Sequence, residues 1–278
     1  MGYKLFSYLL SLLSDKNLDR LAGLLSWFVV RLKWKVLTKN IRIFLGENAP
    51  AKEIYRLAFG GTKNFILTSL EFIAARKGDL SQRVTFKDQN NLDDAIAKGK
   101  GVYILCMHIG SWEAMGAAMT RRIRDTRVVV KKVGGPSMNK FVCDMRKHNG
   151  FHIIERRKKG DALLGIKETL SQGNLVGFVI DQARPGEPKL PFFGVPAKTN
   201  TSFAAIWRKM KAPIVPGYCF RTAPGKYEVG FLPELELNDT GNSERDIVQH
   251  SQLFNHVVEK IIRMKPEQYF WLHDRWKD

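Results

Sequence analysis

The spacing of apolar residues along the chain predicts an alternation of helices and strands. Apolar side chains recur three and four positions apart across residues 50–77, which is typical of an amphipathic helix. Residues 102–107 and 175–180 are continuous apolar runs of strand length, which is typical of strands buried on both faces. The same criteria predict helices over 91–98, 111–122, 139–148, 161–172 and 201–211, and strands over 126–130, 214–220 and 227–232.

The sequence predicts one more long helix near the C-terminal end of the chain. It should begin at Ser243, because Asp246 follows at the spacing of a capping box, and it should end before Pro266. Strands alternate with helices from residue 100 to 220. The sequence therefore predicts an α/β fold, with a mixed, largely parallel central sheet flanked by helices. We expect this α/β domain to occupy residues 46–278.

The first 45 residues differ in pattern from the rest. Residues 5–13 and 21–30 are apolar runs, each about half the roughly 20 residues that a membrane-spanning helix needs. The second run is followed by basic residues with no acidic residue among them. Trp27 and Trp34 flank the junction. Such a segment is typical of helices lying in the cytoplasmic leaflet. The alternative is a helical hairpin that covers the core and has a solvated basic edge.

Composition narrows the class of protein. Hydrophobic residues make up 44% of the 278 residues and charged residues 26%, which excludes a disordered, collagen-like or polytopic membrane protein. Three widely spaced cysteines predict neither a disulfide scaffold nor a structural metal site. The net charge of +18 predicts a polyanionic partner. No motif that reads nucleic acid is present, so we expect a membrane or an acidic protein rather than nucleic acid.

His108 and Glu113 are the candidate catalytic residues. A histidine ends the predicted strand over 102–107, and Glu113 lies in the first turn of the next predicted helix. In one continuous helix the two side chains would point roughly 140° apart, but a turn at Gly110 lets them converge. A carboxylate on one ring nitrogen makes the other nitrogen a general base for a hydroxyl nucleophile. The alternative is a helix-capping glutamate beside a buried histidine.

The blocks around these residues resemble the bacterial lipid A biosynthesis acyltransferase family, which is related to the glycerolipid acyltransferases. The family's H-F-G-N-W-E block is matched here by H-I-G-S-W-E at 108–113, with Ser111 in place of asparagine. The other matches, in the family's order, are Arg146 with Gly150, Asp181-Gln182, F-F-G-V-P-A at 192–197, K-A-P-I-V-P at 211–216 and W-L-H-D-R-W-K at 271–277.

This resemblance implies transfer of a fatty acyl chain from an acyl carrier protein thioester to a hydroxyl of a glycolipid, the lipid A precursor, at the cytoplasmic face of the inner membrane. It implies no metal and no redox cofactor, since the acyl thioester is the co-substrate. The C-terminal block at 271–277 is expected to be structural. The expected substrate-binding residues are Gly110, Ser111, Trp112, Arg146, Asp181, Gln182, Phe192 and Phe193.

The basic block over residues 121–159 holds 13 Lys and Arg against three Asp and Glu, which would draw an anionic glycolipid or an acidic carrier protein. Within it, Arg146 is expected to grip a phosphate or to orient the acceptor, as a forked donor can. The alternative for the block is a solvated surface. Two other functions stay open: an acyltransferase that uses acyl-CoA and another lipid acceptor, such as a phosphoinositol mannoside or an aminolipid, and a non-catalytic basic protein that binds membranes or nucleic acid.

Overall fold

The N-terminal part of the protein consists of three helices. The computed structural model describes residues 2–74, 79–130, 134–155, 160–182 and 186–277. The three helices are α1 (Gly2–Ser11), α2 (Asp15–Leu45) and α3 (Ala51–Ala74). The second apolar run belongs to α2, which continues through the basic residues without a break. Side chains of α1, α2 and α3 share one small apolar cluster. Within the described residues, no helix is both long and apolar enough to cross a bilayer.

The remaining helices lie mainly where the apolar spacing predicts them. They are α4 (Asn90–Ala97), α5 (Trp112–Arg122), α6 (Pro136–His148), α7 (Asp161–Ser171), α8 (Ser202–Met210) and α9 (Ser243–Met264). Helix α9 ends before Pro266 as predicted, but its cap is Asn242, whose side chain accepts a hydrogen bond from the backbone N–H of Arg245. The carboxylate of Asp246 instead accepts hydrogen bonds from the backbone N–H and the hydroxyl of Thr240.

A seven-stranded sheet forms the centre of the described structure. Its strands are β1 (Val84–Lys87), β2 (Val102–Cys106), β3 (Thr126–Val130), β4 (His152–Glu155), β5 (Leu175–Val179), β8 (Ile214–Ala223) and β9 (Lys226–Phe231), and two further strands are β6 (Lys189–Phe192) and β7 (Val195–Lys198). The order is β1-β9-β8-β2-β5-β3-β4, and β6 and β7 form a separate hairpin. Neighbours in the seven-stranded sheet are parallel except β8 and β9, and β6 and β7 are antiparallel. The predicted mixed, largely parallel sheet is confirmed.

The two faces of the sheet have separate cores, and β2 contributes to both. Tyr103 and Leu105 point into a cluster with residues of α8 and α9. Ile104 and Cys106 point into a second cluster with residues of α5. All four are buried, as the continuous apolar run predicts for a strand covered on both sides. The short strands β1, β4, β6 and β7 were not predicted, because four residues are too few to show a period.

The N-terminal helices are tied to the C-terminal segment. Asn40 of α2 donates through Nδ2 to the carbonyl oxygens of Trp271 (2.8 Å) and His273 (2.9 Å). Lys39 forms an ion pair with Asp274. Helix α2 thus fixes the segment that follows α9. The division of the chain at residue 45 stays a prediction.

Candidate active site

His108 is held by Asp181 through two hydrogen bonds. Nδ1 of His108 lies 2.8 Å from Oδ1 of Asp181, and the backbone N–H of His108 donates to Oδ2 at 3.0 Å. Asp181 is almost completely buried, whereas about a fifth of the His108 side chain is exposed. Since a carboxylate only accepts, the proton lies on Nδ1 and the lone pair on Nε2. Nε2 is therefore the nitrogen available as a base.

The register of two parallel strands brings these residues together. Cys106, the last residue of β2, is the partner of Val179, the last residue of β5. The backbone N–H of Ile180 continues the pairing by donating to the carbonyl of Cys106. His108 and Asp181 each lie two residues beyond their strand. The carboxyl ends of parallel strands share one edge of the sheet, so the two side chains meet there.

Glu113 does not hold the imidazole, which corrects the sequence prediction. Its Oε1 accepts from Nη2 of Arg146 at 2.8 Å, and Oε2 accepts from Nε at 3.4 Å. Glu113 lies in the first turn of α5 and faces α6, which carries Arg146. Asp181 reaches His108 from the neighbouring strand and occupies Nδ1. The structure therefore contains two separate pairs, His108–Asp181 and Glu113–Arg146.

The turn after His108 requires glycine at position 110. Gly110 has φ of +56°, and an ideal Cβ there would lie 1.6 Å from the carbonyl oxygen of Cys219. Asn64 and Thr68 of α3 both donate to the Gly110 carbonyl. The Gly110 N–H donates to the carbonyl of Gln268. These bonds fix the backbone that carries His108.

A cavity of about 450 Å³ opens beside His108. It lies between α5 and the sheet face that Ile104 and Cys106 share, and it reaches Met119 and Thr126 at its inner end. Trp112 and Met119 are seven helical residues apart, which is roughly 10 Å along α5. Polar side chains gather at the outer end and apolar ones line the interior. The outer residues are His108, Glu113, Arg146, Gln182 and Asn200.

Aromatic rings surround the outer end. The Trp112 ring lies 5.0 Å from the His108 ring, edge to face, and the Phe270 ring lies 5.8 Å from it. Phe65 of α3 stacks on Phe270 with ring centroids 4.4 Å apart. These rings fix the His108 plane and make the entrance apolar on the side of α3.

The ionisation of the buried groups favours a histidine base over a cysteine nucleophile. Burial and the neighbouring Asp181 charge raise the pKa of the Cys106 thiol to about 12. Burial alone would raise the pKa of the Asp181 carboxyl. The positive charge that His108 carries when its ring is protonated and the hydrogen bonds from its ring and backbone, together with the charge of Arg275, lower this pKa below its usual value. Asp181 is thus ionised at neutral pH, and Cys106 is a thiol.

The other predicted substrate-binding residues divide into three groups. Trp112, Arg146 and Gln182 line the cavity beside His108. Gly110 and Ser111 form the turn instead, and the Ser111 N–H donates a hydrogen bond to the carbonyl of Cys219.

Phe192 is the last residue of β6 and Phe193 begins the turn to β7, and neither lines the cavity beside His108. The buried Phe192 stacks on Trp276, and the backbone N–H of Phe193 donates to Glu259. The structure therefore places Phe192 in the core and Phe193 against its edge, beside the C-terminal segment rather than in the cavity wall.

The described arginines of the basic block mostly make structural contacts. Arg121 bonds to Asp79 and to the carbonyls of His148 and Asn149. Arg122 caps the carbonyls of Ser81 and Val84. Lys131, Lys132 and residues 156–159 lie outside the described residues. Arg146 forms an ion pair with Glu113, and its contact with a phosphate or with the acceptor stays a prediction.

Sequence reasoning missed several residues that hold the site. Asn64, Thr68 and Gln268 fix the Gly110 turn, and Asn200 lines the cavity. Isolated polar residues on amphipathic helices give no signal of such a role. Asp181 was assigned to the site, but its partner was not, because the sequence does not show which strands are neighbours.

Comparison with known proteins agrees with the blocks around His108. A sequence model described as "Bacterial lipid A biosynthesis acyltransferase" matches residues 3–278. The lipid A biosynthesis palmitoleoyltransferase of Escherichia coli (strain K12) is 26% identical over 192 residues, 68% of this chain and 60% of that protein. The lipid A biosynthesis lauroyltransferase of the same organism is 33% identical over 119 residues, 41% of this chain and 38% of that protein.

The lipid A biosynthesis acyltransferase of Haemophilus influenzae is 23% identical over 208 residues, 73% of this chain and 62% of that protein. The matched segments thus span less than two thirds of these relatives. The family model, in contrast, covers almost every residue, including the pairs His108–Asp181 and Glu113–Arg146. By that match, this chain belongs to the bacterial lipid A biosynthesis acyltransferase family.

Proposed function

We propose that this protein transfers a fatty acyl chain from an acyl carrier protein thioester to a hydroxyl of a lipid A precursor. The observation that carries the proposal is the His108–Asp181 pair at the polar end of an apolar cavity. The names of the relatives, a palmitoleoyltransferase and a lauroyltransferase of lipid A biosynthesis, support the acceptor and the group transferred.

His108 acts as the general base. Its Nε2 takes the proton of the acceptor hydroxyl as the hydroxyl oxygen bonds to the thioester carbonyl carbon. The carbon–sulfur bond then breaks, and the imidazolium returns its proton to the leaving thiolate. Asp181 holds the ring through Nδ1 and stabilises the imidazolium. General-base assistance of this kind contributes about 10²–10⁴-fold.

The Glu113–Arg146 pair holds the acceptor beside the base. Both side chains lie at the outer end of the cavity, and the pair is mostly buried, so its geometry is fixed before substrate arrives. Glu113 accepts through both oxygens from one guanidinium. The guanidinium retains further N–H groups, which are available to a phosphate or hydroxyl of the glycolipid.

The interior of the cavity takes the acyl chain. Its walls are the apolar side chains of Ile104, Met115, Val128 and Phe151, and its volume is within the range of small-molecule sites. A chain lying there places its carboxyl end at His108, because the base lies at the polar end. The depth of the cavity then limits the length of the acyl chain.

The N-terminal helices hold the protein on the membrane surface. Large apolar side chains of α1 and α2 are exposed, and Arg31, Lys33 and Lys35 lie among those of α2. This combination favours helices lying in the interface of an anionic leaflet. The exposed set comprises Leu5, Phe6, Tyr8 and Leu9 of α1, Leu12 and Leu13 of the link between the helices, and Leu24, Leu25, Trp27, Phe28, Leu32 and Trp34 of α2. The association is peripheral and at the cytoplasmic face of the inner membrane, where carrier protein and acceptor meet.

Mass spectrometry of a reconstituted reaction tests this function. The full-length protein is mixed with acyl carrier protein thioester and a lipid A precursor in anionic vesicles. We expect the precursor to gain the mass of one acyl chain, and the same gain to be absent with His108→Ala. Folding of the variant is checked by thermal unfolding. Turnover by a folded His108→Ala protein at the parental rate excludes the general-base assignment.

Two further reactions identify the acyl donor and the acceptor separately. Replacing the carrier protein thioester by acyl-CoA identifies the donor, and replacing the precursor by another lipid that carries free hydroxyls identifies the acceptor. Equal rates with acyl-CoA and with the carrier thioester would contradict the proposed carrier protein. The same product mass on an unrelated lipid alone would contradict the proposed acceptor.

A further inference from the structure

Asn200 lies in the wall of the cavity that opens beside His108. It belongs to the link of residues 199–201 between β7 and α8, and it is partly buried. Like Glu113 and Arg146, it lies at the polar outer end of the cavity, where the acyl thioester and the acceptor meet in the proposed reaction. Asn200 is therefore a polar side chain at the reacting end of the cavity that takes no part in the proton transfer.

A hydrogen bond fixes the orientation of the Asn200 amide. The backbone N–H of Ser202 donates to Oδ1 of Asn200 at 2.9 Å. Because a backbone N–H only donates, the amide oxygen faces Ser202 and the amide nitrogen is turned away from it. Nδ2 makes no hydrogen bond to a described residue, and it is not one of their fully buried polar atoms. The N–H groups of Asn200 are thus available at the cavity wall.

The C-terminal segment fixes the backbone that carries Asn200. Arg275 donates through Nε to the carbonyl of Lys198 at 3.2 Å, and the Lys198 N–H donates to the carbonyl of Arg275 at 3.3 Å. The Thr199 hydroxyl accepts from Nδ2 of Asn255 at 3.2 Å and from Nη2 of Arg275 at 3.4 Å. Only 3% of Thr199 is exposed. The position of Asn200 is therefore set before substrate arrives.

The same segment also fixes the turn that carries His108. Ile109 and Tyr269 form an antiparallel bridge, and the Phe270 N–H donates to the carbonyl of His108 at 3.1 Å. One stretch of chain thus bonds to the backbone of the base and to the link that carries Asn200. It holds the two side chains at a fixed separation, as a catalytic pair requires.

The reaction creates a negative charge that needs a hydrogen-bond donor. When the acceptor oxygen bonds to the thioester carbonyl carbon, one electron pair of the carbonyl double bond moves onto the carbonyl oxygen. Fixed N–H groups directed at that oxygen lower the barrier. The backbone N–H groups of the turn at His108 all donate to protein acceptors already. Those of residues His108, Ile109, Gly110 and Ser111 donate to Asp181, Met107, Gln268 and Cys219, respectively.

We propose that Asn200 is a further catalytic residue, whose Nδ2 donates a hydrogen bond to the thioester carbonyl oxygen as negative charge develops there. This inference rests on the proposed function, because it concerns the same thioester. The oxygen holds the charge until the carbon–sulfur bond breaks and its electron pair re-forms the carbonyl. Since the amide is neutral, it stabilises this oxygen without changing the ionisation of His108.

The hydrogen bond from Ser202 also makes Asn200 a cap at the start of α8. That role accounts for the amide oxygen, since the side chain of an aspartate or a serine accepts the same kind of hydrogen bond. It gives no use to the amide nitrogen. Variants that keep the accepting oxygen and remove the nitrogen therefore separate capping from catalysis.

Asn200→Asp and Asn200→Ser test the inference in the reconstituted reaction. Both should unfold close to the parental temperature, because each keeps an oxygen for the Ser202 N–H. We expect kcat to fall about 10²–10³-fold, the effect of removing one donor to an oxyanion. KM for the thioester should stay within about threefold, because the hydrogen bond strengthens only in the transition state. Asn200→Ser shows the loss without an added charge.

Asn242 provides the matched control. It caps α9 with the same atom, since its Oδ1 accepts from the backbone N–H of Arg245 at 3.1 Å. Asn242 is exposed and does not line the cavity. Asn242→Asp and Asn242→Ser make the same chemical changes at a helix start away from the site. Both should retain the parental kcat and KM.

A parental kcat in folded Asn200→Asp and Asn200→Ser would overturn the inference and leave the oxygen to other donors, such as the first N–H groups of α5. A loss confined to KM for the acceptor would also overturn it, because the amide would then bind the glycolipid. If one variant fails to fold, the other decides. Failure of the proposed function gives a different result: full activity of His108→Ala, or no transfer by the parent.

Discussion

Nδ1 of His108 and Oδ1 of Asp181 lie 2.8 Å apart although 73 residues separate them in the chain. Each residue follows the end of its own strand by two positions, and the two strands are parallel neighbours. The pair is therefore a product of sheet register. Glu113, which is much closer to His108 in sequence, pairs with Arg146.

This arrangement predicts which carboxylate matters more for the chemical step. Asp181→Asn should lower kcat by about 10²–10⁴-fold, because the amide keeps the shape but no longer stabilises the imidazolium. Glu113→Gln should act mainly on KM for the acceptor, since Glu113 orients Arg146. Steady-state kinetics with the folded variants decide the order. A larger loss of kcat in Glu113→Gln than in Asp181→Asn would show that Glu113, rather than Asp181, orients His108.

Gly110 should not tolerate a side chain. In Gly110→Ala the new Cβ would meet the carbonyl oxygen of Cys219, which belongs to the sheet and has little freedom to move. Gly99→Ala is the matched control, because Gly99 also has a positive φ (+68°) but a Cβ added there would have no atom within 4 Å. The control should lower the free energy of unfolding by about 1–2 kcal/mol through backbone strain. Gly110→Ala should lower it by more. Urea denaturation of both measures this. Equal losses would show that close approach is not what selects glycine at 110.

Changes at the inner end of the cavity should alter the preferred acyl length. Gly116 lies in α5, and a Cβ there would come within 3.1 Å of the Phe151 ring, so Gly116→Ala should favour shorter chains. Met119→Ala removes a wall and should favour longer ones. Product analysis with a series of thioesters of increasing length gives the preference. Met264→Ala, on the exposed side of α9, is the control and should leave it unchanged. Identical preferences in all variants would place the chain elsewhere.

The exposed face of α2 should carry membrane affinity. Replacing Leu24, Phe28 and Leu32 by serine removes side chains that are 60%, 52% and 82% exposed. Binding to anionic vesicles, measured by sedimentation, should weaken by at least tenfold, because each buried large apolar side chain contributes about 1.5–3 kcal/mol. Leu164→Ser changes an equally exposed leucine of α7 and should have no effect. Unchanged sedimentation of the triple variant would exclude this face as the contact.

The fold could be predicted from the sequence wherever an element carries a clear pattern of apolar residues or a clear end signal. Strands β2 and β5 are continuous apolar runs, and α9 ends at a proline, so all three were found from the residues. The pairing within the site could not be found in this way. It depends on β2 lying next to β5, a long-range fact that no local spacing encodes. Asn40, Asn64 and Gln268 gave no signal either, because a single buried amide has the same appearance in sequence as an exposed one.

The pairing of His108 with the segment around Phe270 sets when the site becomes complete during synthesis. The ribosome delivers His108 about 160 residues before Phe270, which at 5–20 residues per second is roughly 8–30 s. During that interval the strand that carries the base lacks its bridge to Tyr269 and its hydrogen bond from Phe270. The apolar faces of α1 and α2 have already emerged by then. Under the proposed membrane attachment, the nascent chain can therefore reach a lipid surface before its catalytic centre is complete.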